Sequence, residues 1–149
     1  MLVTAIDAES GEFVAFGKGS QVGDTAVTLV DAVAASCSVP GVWPATTIGG
    51  RRWIDGGVRS TTNADLAAGY ERIVVLAPIP RGFRPVTGAA AQVAALRERA
   101  QVTLVTPDAA ARRGIGRNVL DPARREPAAR AGRTQAGSVV TEVARVWVD

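Results

Sequence analysis

Two apolar runs of strand length, separated by a helical stretch, constrain this chain's fold more than any other feature. "RIVVLAPI" (residues 72–79) is continuously apolar after its first residue, the mark of a strand covered on both faces. "QVTLVTP" (residues 101–107) reads as another buried strand, and "GAAAQVAALRERA" between them has the composition of a helix. Strand, helix and strand in that order make a β-α-β unit, whose right-handed crossover leaves two parallel strands in one sheet. The fold class is α/β.

Upstream, "LVTAID" (residues 2–7) and "FVAFG" (residues 13–17) are rich in β-formers and flank a turn with Gly11 at its tip, so they predict a hairpin. Asp24 is placed to cap a helix running to about Ser36. In it Val27, Val30 and Ala34 recur at helical spacing, and Leu29 and Val33 widen the stripe. Pro40 and Pro44 bar regular structure until "TTIGGRRWID", which reads as a tight hairpin turning at Gly49-Gly50. Thr62 or Asn63 can cap a short helix through Ala68, with Gly69 as its stop. Beyond Asp108, Ala and Arg dominate, interrupted by Pro122, Pro127 and several glycines. Short helices are expected there, the last over about residues 139–147, and no single long amphipathic helix.

Composition removes several chemistries. The 149 residues contain no histidine, so a Ser-His-Asp triad or a histidine-ligated metal within them is impossible. The single cysteine, Cys37, excludes an internal disulfide and cysteine-clustered zinc or iron–sulfur sites, and reads as a small buried residue. One cysteine, no basic leader in "MLVTAIDAES" and no apolar run near the ~20 residues of a membrane span point to a cytoplasmic protein. Charge is uneven. Residues 1–70 hold Lys18, Arg51, Arg52 and Arg59 against seven acids, whereas residues 97–133 hold nine arginines against Glu98, Asp108, Asp121 and Glu126. The plain reading is a solvated arginine-rich surface, and the sharper one is contact with anionic lipid headgroups, peripheral to a membrane. No aromatics interleave these arginines, so nucleic acid is not expected.

The stretch "VDAVAASCSVPGVWPATTIGGRRWIDGGVRSTTNADLAAGYERIVVL" resembles the patatin-like phospholipase family. It has a helix ending in Ala-Ser, a Pro-rich loop, a short hairpin, an Asp-Gly-Gly signature, an Asn-containing helix start and a buried strand, in that order. With the preceding hairpin, the resemblance covers residues 2–80. It implies a three-layer α/β/α fold, here incomplete, with its N-terminal strands and nucleophile elbow lying outside the chain. Residues 1–80 would form the C-terminal half of the patatin-like domain, and residues 81–149 a subfamily-specific continuation. The family hydrolyses acyl esters of lipids with a Ser-Asp dyad. On this resemblance Asp55 is the dyad carboxylate, and Gly56 and Gly57 let the backbone turn sharply beside it. No cofactor or metal is implied. The substrate is a lipid ester.

The dyad's other half is not encoded here. None of Ser10, Ser20, Ser36, Ser38, Ser60 and Ser138 stands in a G-x-S-x-G elbow. The chain is therefore expected to be inactive alone and prone to self-association through unpaired strand edges. The alternative is a non-catalytic lipid- or partner-binding domain of the same fold. Ser36 and Pro40 are expected to shape the loop around an acyl pocket, and Trp43 and Trp53 to pack in the core, the alternative being that they flank a lipid-binding cleft. Asn63 and Asp65 read as helix-start residues, and Asp7 as a strand-end acid with no identifiable partner.

Overall fold

The computed structural model describes residues 1–81 and 86–147. They divide into two units, one comprising Met1–Asn63 with residues 86–87, the other Ala64–Arg81 with residues 88–147.

The first unit is built on an antiparallel sheet of β1 (Val3–Asp7), β2 (Phe13–Phe16), β5 (Thr46–Ile48) and β6 (Arg51–Asp55), in the order β2-β1-β6-β5. Both hairpins read from the sequence are present. β1 pairs with β2 through Val3↔Phe16 to Ile6↔Phe13, and β5 with β6 around Gly49-Gly50, whose φ values of 57° and 77° only glycine adopts freely. β1 also pairs with β6, so it lies inside the sheet rather than at an open edge. Strand alternation puts Val3, Ala5 and Asp7 on one face together with Trp53 and Asp55. Ala5, Phe16, Trp53 and Ile48 form the core there with Ala32 and Ala35 of α1 (Leu29–Ser36). The Trp53 and Phe16 rings meet edge to face, 5.1 Å between centroids.

The helix start differs from expectation. Residues 21–26 form a second, minimal hairpin, β3 (Gln21–Val22) and β4 (Thr25–Ala26), so Asp24 sits in a turn behind Gly23 instead of capping a helix. The cap is Thr28, in a capping box: its side chain accepts from the Asp31 N–H, and Asp31 accepts from the Thr28 N–H and hydroxyl. Those bonds, the Thr28 side chain's first, hold the Asp31 carboxyl below its ordinary value. The buried side is Ala32 and Ala35, and Leu29, Val30 and Val33 are exposed. Alanines let the helix backbone lie close to the sheet, which turns the larger side chains outward. Cys37, read as buried, is exposed in the turn that ends α1. Trp53 is buried as expected, but Trp43 is 62% exposed in the loop between the two prolines.

The second unit contains the β-α-β arrangement. β7 (Arg72–Leu76) and β8 (Gln101–Val105) are parallel, in register from Arg72↔Gln101 to Leu76↔Val105, with α2 (Ala89–Leu96) between them in sequence. Val93 and Leu96 of α2 cover Ile73, Val75 and Val102. The opposite face lies under α4 (Arg125–Trp147), where Thr103 is buried with its hydroxyl 3.5 Å from the Glu142 carbonyl. The β7 strand is thus covered on both faces until Leu76, which is 70% exposed. α3 (Ala109–Ile115), capped by the Asp108 side chain, packs against α4. The carboxy-terminal segment departs most from expectation: α4 is one 23-residue helix. Pro127 lies in its first turn, where its missing N–H is no loss, and Gly132 and Gly137 are accommodated inside it. Both units mix helices and strands, and the parallel β-α-β arrangement belongs to the second.

Candidate functional site

Asp55 ends β6 and starts a tight 3-10 turn over Gly56–Val58. Its backbone N–H donates to the Ser38 carbonyl at 3.1 Å, and its Oδ1 accepts from the Gly57 N–H at 2.6 Å. The side chain is half-buried, and Oδ2 has no hydrogen-bond partner among the described residues. One carboxylate oxygen therefore fixes the group to its own turn and the other is left for an incoming donor.

The two glycines differ in why they are needed. A Cβ at Gly56 would collide with the Thr4 backbone and hydroxyl, so only glycine lets this turn lie against β1. At Gly57 a Cβ would fall 2.9 Å from Asp55 Oδ1, crowding the carboxylate itself.

Two further residues hold this turn in place. Asn63, read as a helix-start residue, sits at φ 44°, a left-handed conformation that asparagine tolerates better than most. Its Nδ2 reaches the carbonyls of Gly56 and Ser60, each at 3.2 Å, and Thr4 Oγ1 at 3.3 Å, and its Oδ1 accepts from Arg59. Arg59 also lies over the Phe13 ring, 4.3 Å from its centroid. Ser38 is buried. Its hydroxyl donates to the Ala34 carbonyl and lies 2.9 Å from Thr46 Oγ1, tying the end of α1 to the start of β5 behind Asp55. Ser36 is half-buried and Pro40 is exposed, and Ser38 is the buried residue of that loop.

Asp7, on the same face of the sheet, has partners after all. It is 3% exposed and accepts from the Ser10 and Glu9 backbone N–H groups and from Arg51 Nε at 2.8 Å, while Arg51 also reaches Glu12 at 3.0 Å. The Ser10 N–H first, then Glu9 and Arg51, hold its carboxyl down to about 2 against the opposing effect of desolvation. Asp7 is a structural acid, charged at neutral pH. Asp7 and Asp55 share a face only through the β1–β6 pairing, and the Arg51 pairing spans 44 positions, so neither carried a local signal.

A cavity of about 340 Å³ in this unit is lined by Phe16, Lys18, Val27, Leu29 and Ala32 among others, and Asp55 is not part of its wall. No helix among the described residues is long and apolar enough to cross a membrane.

A family model described as Patatin-like phospholipase matches residues 5–68. The match contains Asp55, Gly56, Gly57, Ser38 and Asn63, and it shows the resemblance over that segment. The expected extension from residue 69 to residue 80 lies outside it. No curated protein matches the chain.

Proposed function

We propose, with the patatin-like phospholipase match over residues 5–68 as premise, that this chain carries the aspartate half of a lipid acyl hydrolase. Asp55 is the carboxylate of a Ser-Asp dyad, and the serine comes from a segment outside these 149 residues. The observation that carries the reading is the state of Asp55: half-buried at a strand end, Oδ1 held by the Gly57 N–H, Oδ2 unpartnered among the described residues. In that geometry Oδ2 accepts a hydrogen bond from the serine hydroxyl and takes its proton as the oxygen attacks the ester carbonyl. No imidazole is needed, which agrees with a chain that has no histidine. Backbone N–H donors of the completing segment would stabilise the oxyanion, typically by about 3–4 kcal/mol for one donor. The arginines of residues 112–133 would hold the enzyme against anionic lipid surfaces.

The test is reconstitution. The 149-residue chain alone releases no p-nitrophenolate from p-nitrophenyl esters above background. Combined with a patatin-like segment bearing G-x-S-x-G, it does so, and Asp55→Asn lowers that rate by about 10²–10⁴-fold. Hydrolysis by the chain alone that survives Asp55→Ala would overturn the assignment. The alternative, a non-catalytic lipid- or partner-binding domain, is favoured by one fact, that none of the six serines lies in a G-x-S-x-G elbow. It predicts no activity in any combination.

A further inference from the structure

The second unit contains a larger cavity, about 510 Å³, at the carboxyl ends of its two parallel strands. Leu76 of β7, Val105 of β8, Ile115 of α3, and Gly132 and Val139 of α4 are among its lining residues, and with Leu76 70% exposed it is a groove open to solvent. Ligands of open α/β sheets bind outside the carboxyl ends of the strands, and this volume falls within the range of small-molecule sites.

Its lining selects the ligand's chemistry. Of the polar groups in the wall, Gln135 is engaged at both ends of its amide: Nε2 donates to the Thr106 carbonyl at 2.7 Å, and Oε1 accepts from the Asp108 N–H at 3.2 Å. The rest is mainly Leu, Val, Ile, Ala and Pro. A hydrocarbon laid along these side chains covers apolar surface that is otherwise wet, whereas a polar group there finds few free hydrogen-bonding partners. The rim is different. Arg112 is not itself a lining residue, but its Nη1 donates to the carbonyl of the lining residue Pro107 at 2.7 Å, so the guanidinium stands next to the lining with only part of its five-donor fork engaged there. The two helices beside it carry Arg113, Arg125, Arg130 and Arg133 as well, and of these Arg130 is paired with Glu126.

We propose that this cavity binds a single hydrocarbon chain ending in a carboxylate, a fatty acid, with the chain among Leu76, Val105, Ile115 and Val139 and the head group at Arg112. The inference uses the lipid-hydrolase reading only for the source of the ligand, which would be the acyl product of that reaction. It lies outside the family match and involves none of the residues around Asp55.

Gly132 provides the test. It lines the cavity, and a Cβ there meets no atom within 4 Å, so a side chain can start at this position without a clash at its first atom. Gly137 is equally open but lies outside the wall. Calorimetric titration with dodecanoate, below its micelle concentration, should show saturable one-to-one binding to the 149-residue chain. Gly132→Phe should weaken it by about tenfold or more, a loss of at least one decade in Kd, while Gly137→Phe stays within about twofold. Gly132→Ala, with a single methyl, checks that helix substitution itself is harmless. Dodecanol, with the same chain and no charge, should bind more weakly than dodecanoate, and the difference should shrink with added salt. No saturable binding by the unaltered chain, or equal losses from Gly132→Phe and Gly137→Phe, would overturn the proposal, and equal affinity for dodecanol would overturn the role of Arg112. Asp55→Asn should bind dodecanoate unchanged, so failure of the dyad and failure of the cavity are read separately.

Discussion

Asp7 and Asp55 each end a strand of one sheet and lie on the same face, yet their surroundings differ. Asp7 is enclosed by two backbone donors and Arg51, and its carboxyl is held down to about 2 from an ordinary value of 3.8. A group whose folded pKa is depressed stabilises the fold above its unfolded value and loses that contribution as pH falls through the folded one. Stability measured by urea unfolding should therefore fall between about pH 4 and pH 2, and Asp7→Asn should lower stability at neutral pH and flatten that acid limb. An unchanged limb in the variant would show that Asp7 is not its source. Asn63 is the second residue whose environment decides its role. Asn63→Ala removes the bonds to Gly56 and Ser60 and leaves alanine at positive φ, so it should cost about 1–3 kcal/mol in chemical denaturation. Asn63→Gly keeps the backbone but not the bonds, so a glycine variant as stable as the parent would mean that conformation alone matters. The turn at Asp55 was legible because an Asp-Gly-Gly sequence is local. Ser38 and Asn63 were not, because their bonds cross between elements.

At the scale of elements, the strands were read well and the helix faces poorly. Strands and hairpins follow from alternation and from glycines at turns, both short-range properties. α1 shows why faces are harder: periodicity marks an apolar stripe, but close packing against the sheet selected Ala32 and Ala35 over the larger Leu29 and Val30. α4 shows a different error, since proline and glycine were counted as breaks wherever they fell. Pro127 lies where a helix tolerates it, and a half-buried row of Ala128, Ala131, Gln135, Val139 and Val143 holds the remainder together across two glycines. Those glycines are weak points, so Gly137→Ala should stabilise the chain by about 1 kcal/mol in thermal unfolding. Gly114 of α3 is not equivalent. A Cβ there lies 2.9 Å from the Pro127 carbonyl, and Gly114→Ala should destabilise by about 1–3 kcal/mol. Equal stabilisation by both substitutions would contradict the close approach of α3 to α4.

For the whole molecule, the exposed apolar residues set the expected behaviour in solution. Leu29, Val30 and Val33 are exposed on α1, and Leu76 and Ile79 are exposed in the second unit. β7 and β8 form a two-stranded sheet whose outer edges are unpaired among the described residues. Edges and apolar surface of this kind favour association. Sedimentation velocity should show a coefficient that rises with protein concentration, and Val30→Glu should reduce that rise. A concentration-independent monomer would contradict it. The charge division adds a second property at this scale, with the arginines concentrated after residue 97 and the acids dominating before residue 70. That asymmetry was plain in the sequence, because charge needs no fold to be counted.

The sequence by itself determined the α/β class, both principal hairpins, the parallel strand pair, the exclusion of histidine chemistry and the position of Asp55. Each of these rests on neighbours a few residues apart or on composition. Only the tertiary structure decided that Asp7 is a buried ion-pair acid, that Asn63 and Ser38 hold the Asp55 turn, which face of α1 is covered, and that an apolar cavity opens at the ends of β7 and β8. Those depend on which distant segments meet, and a contact across 44 positions leaves no periodic trace in the chain that makes it.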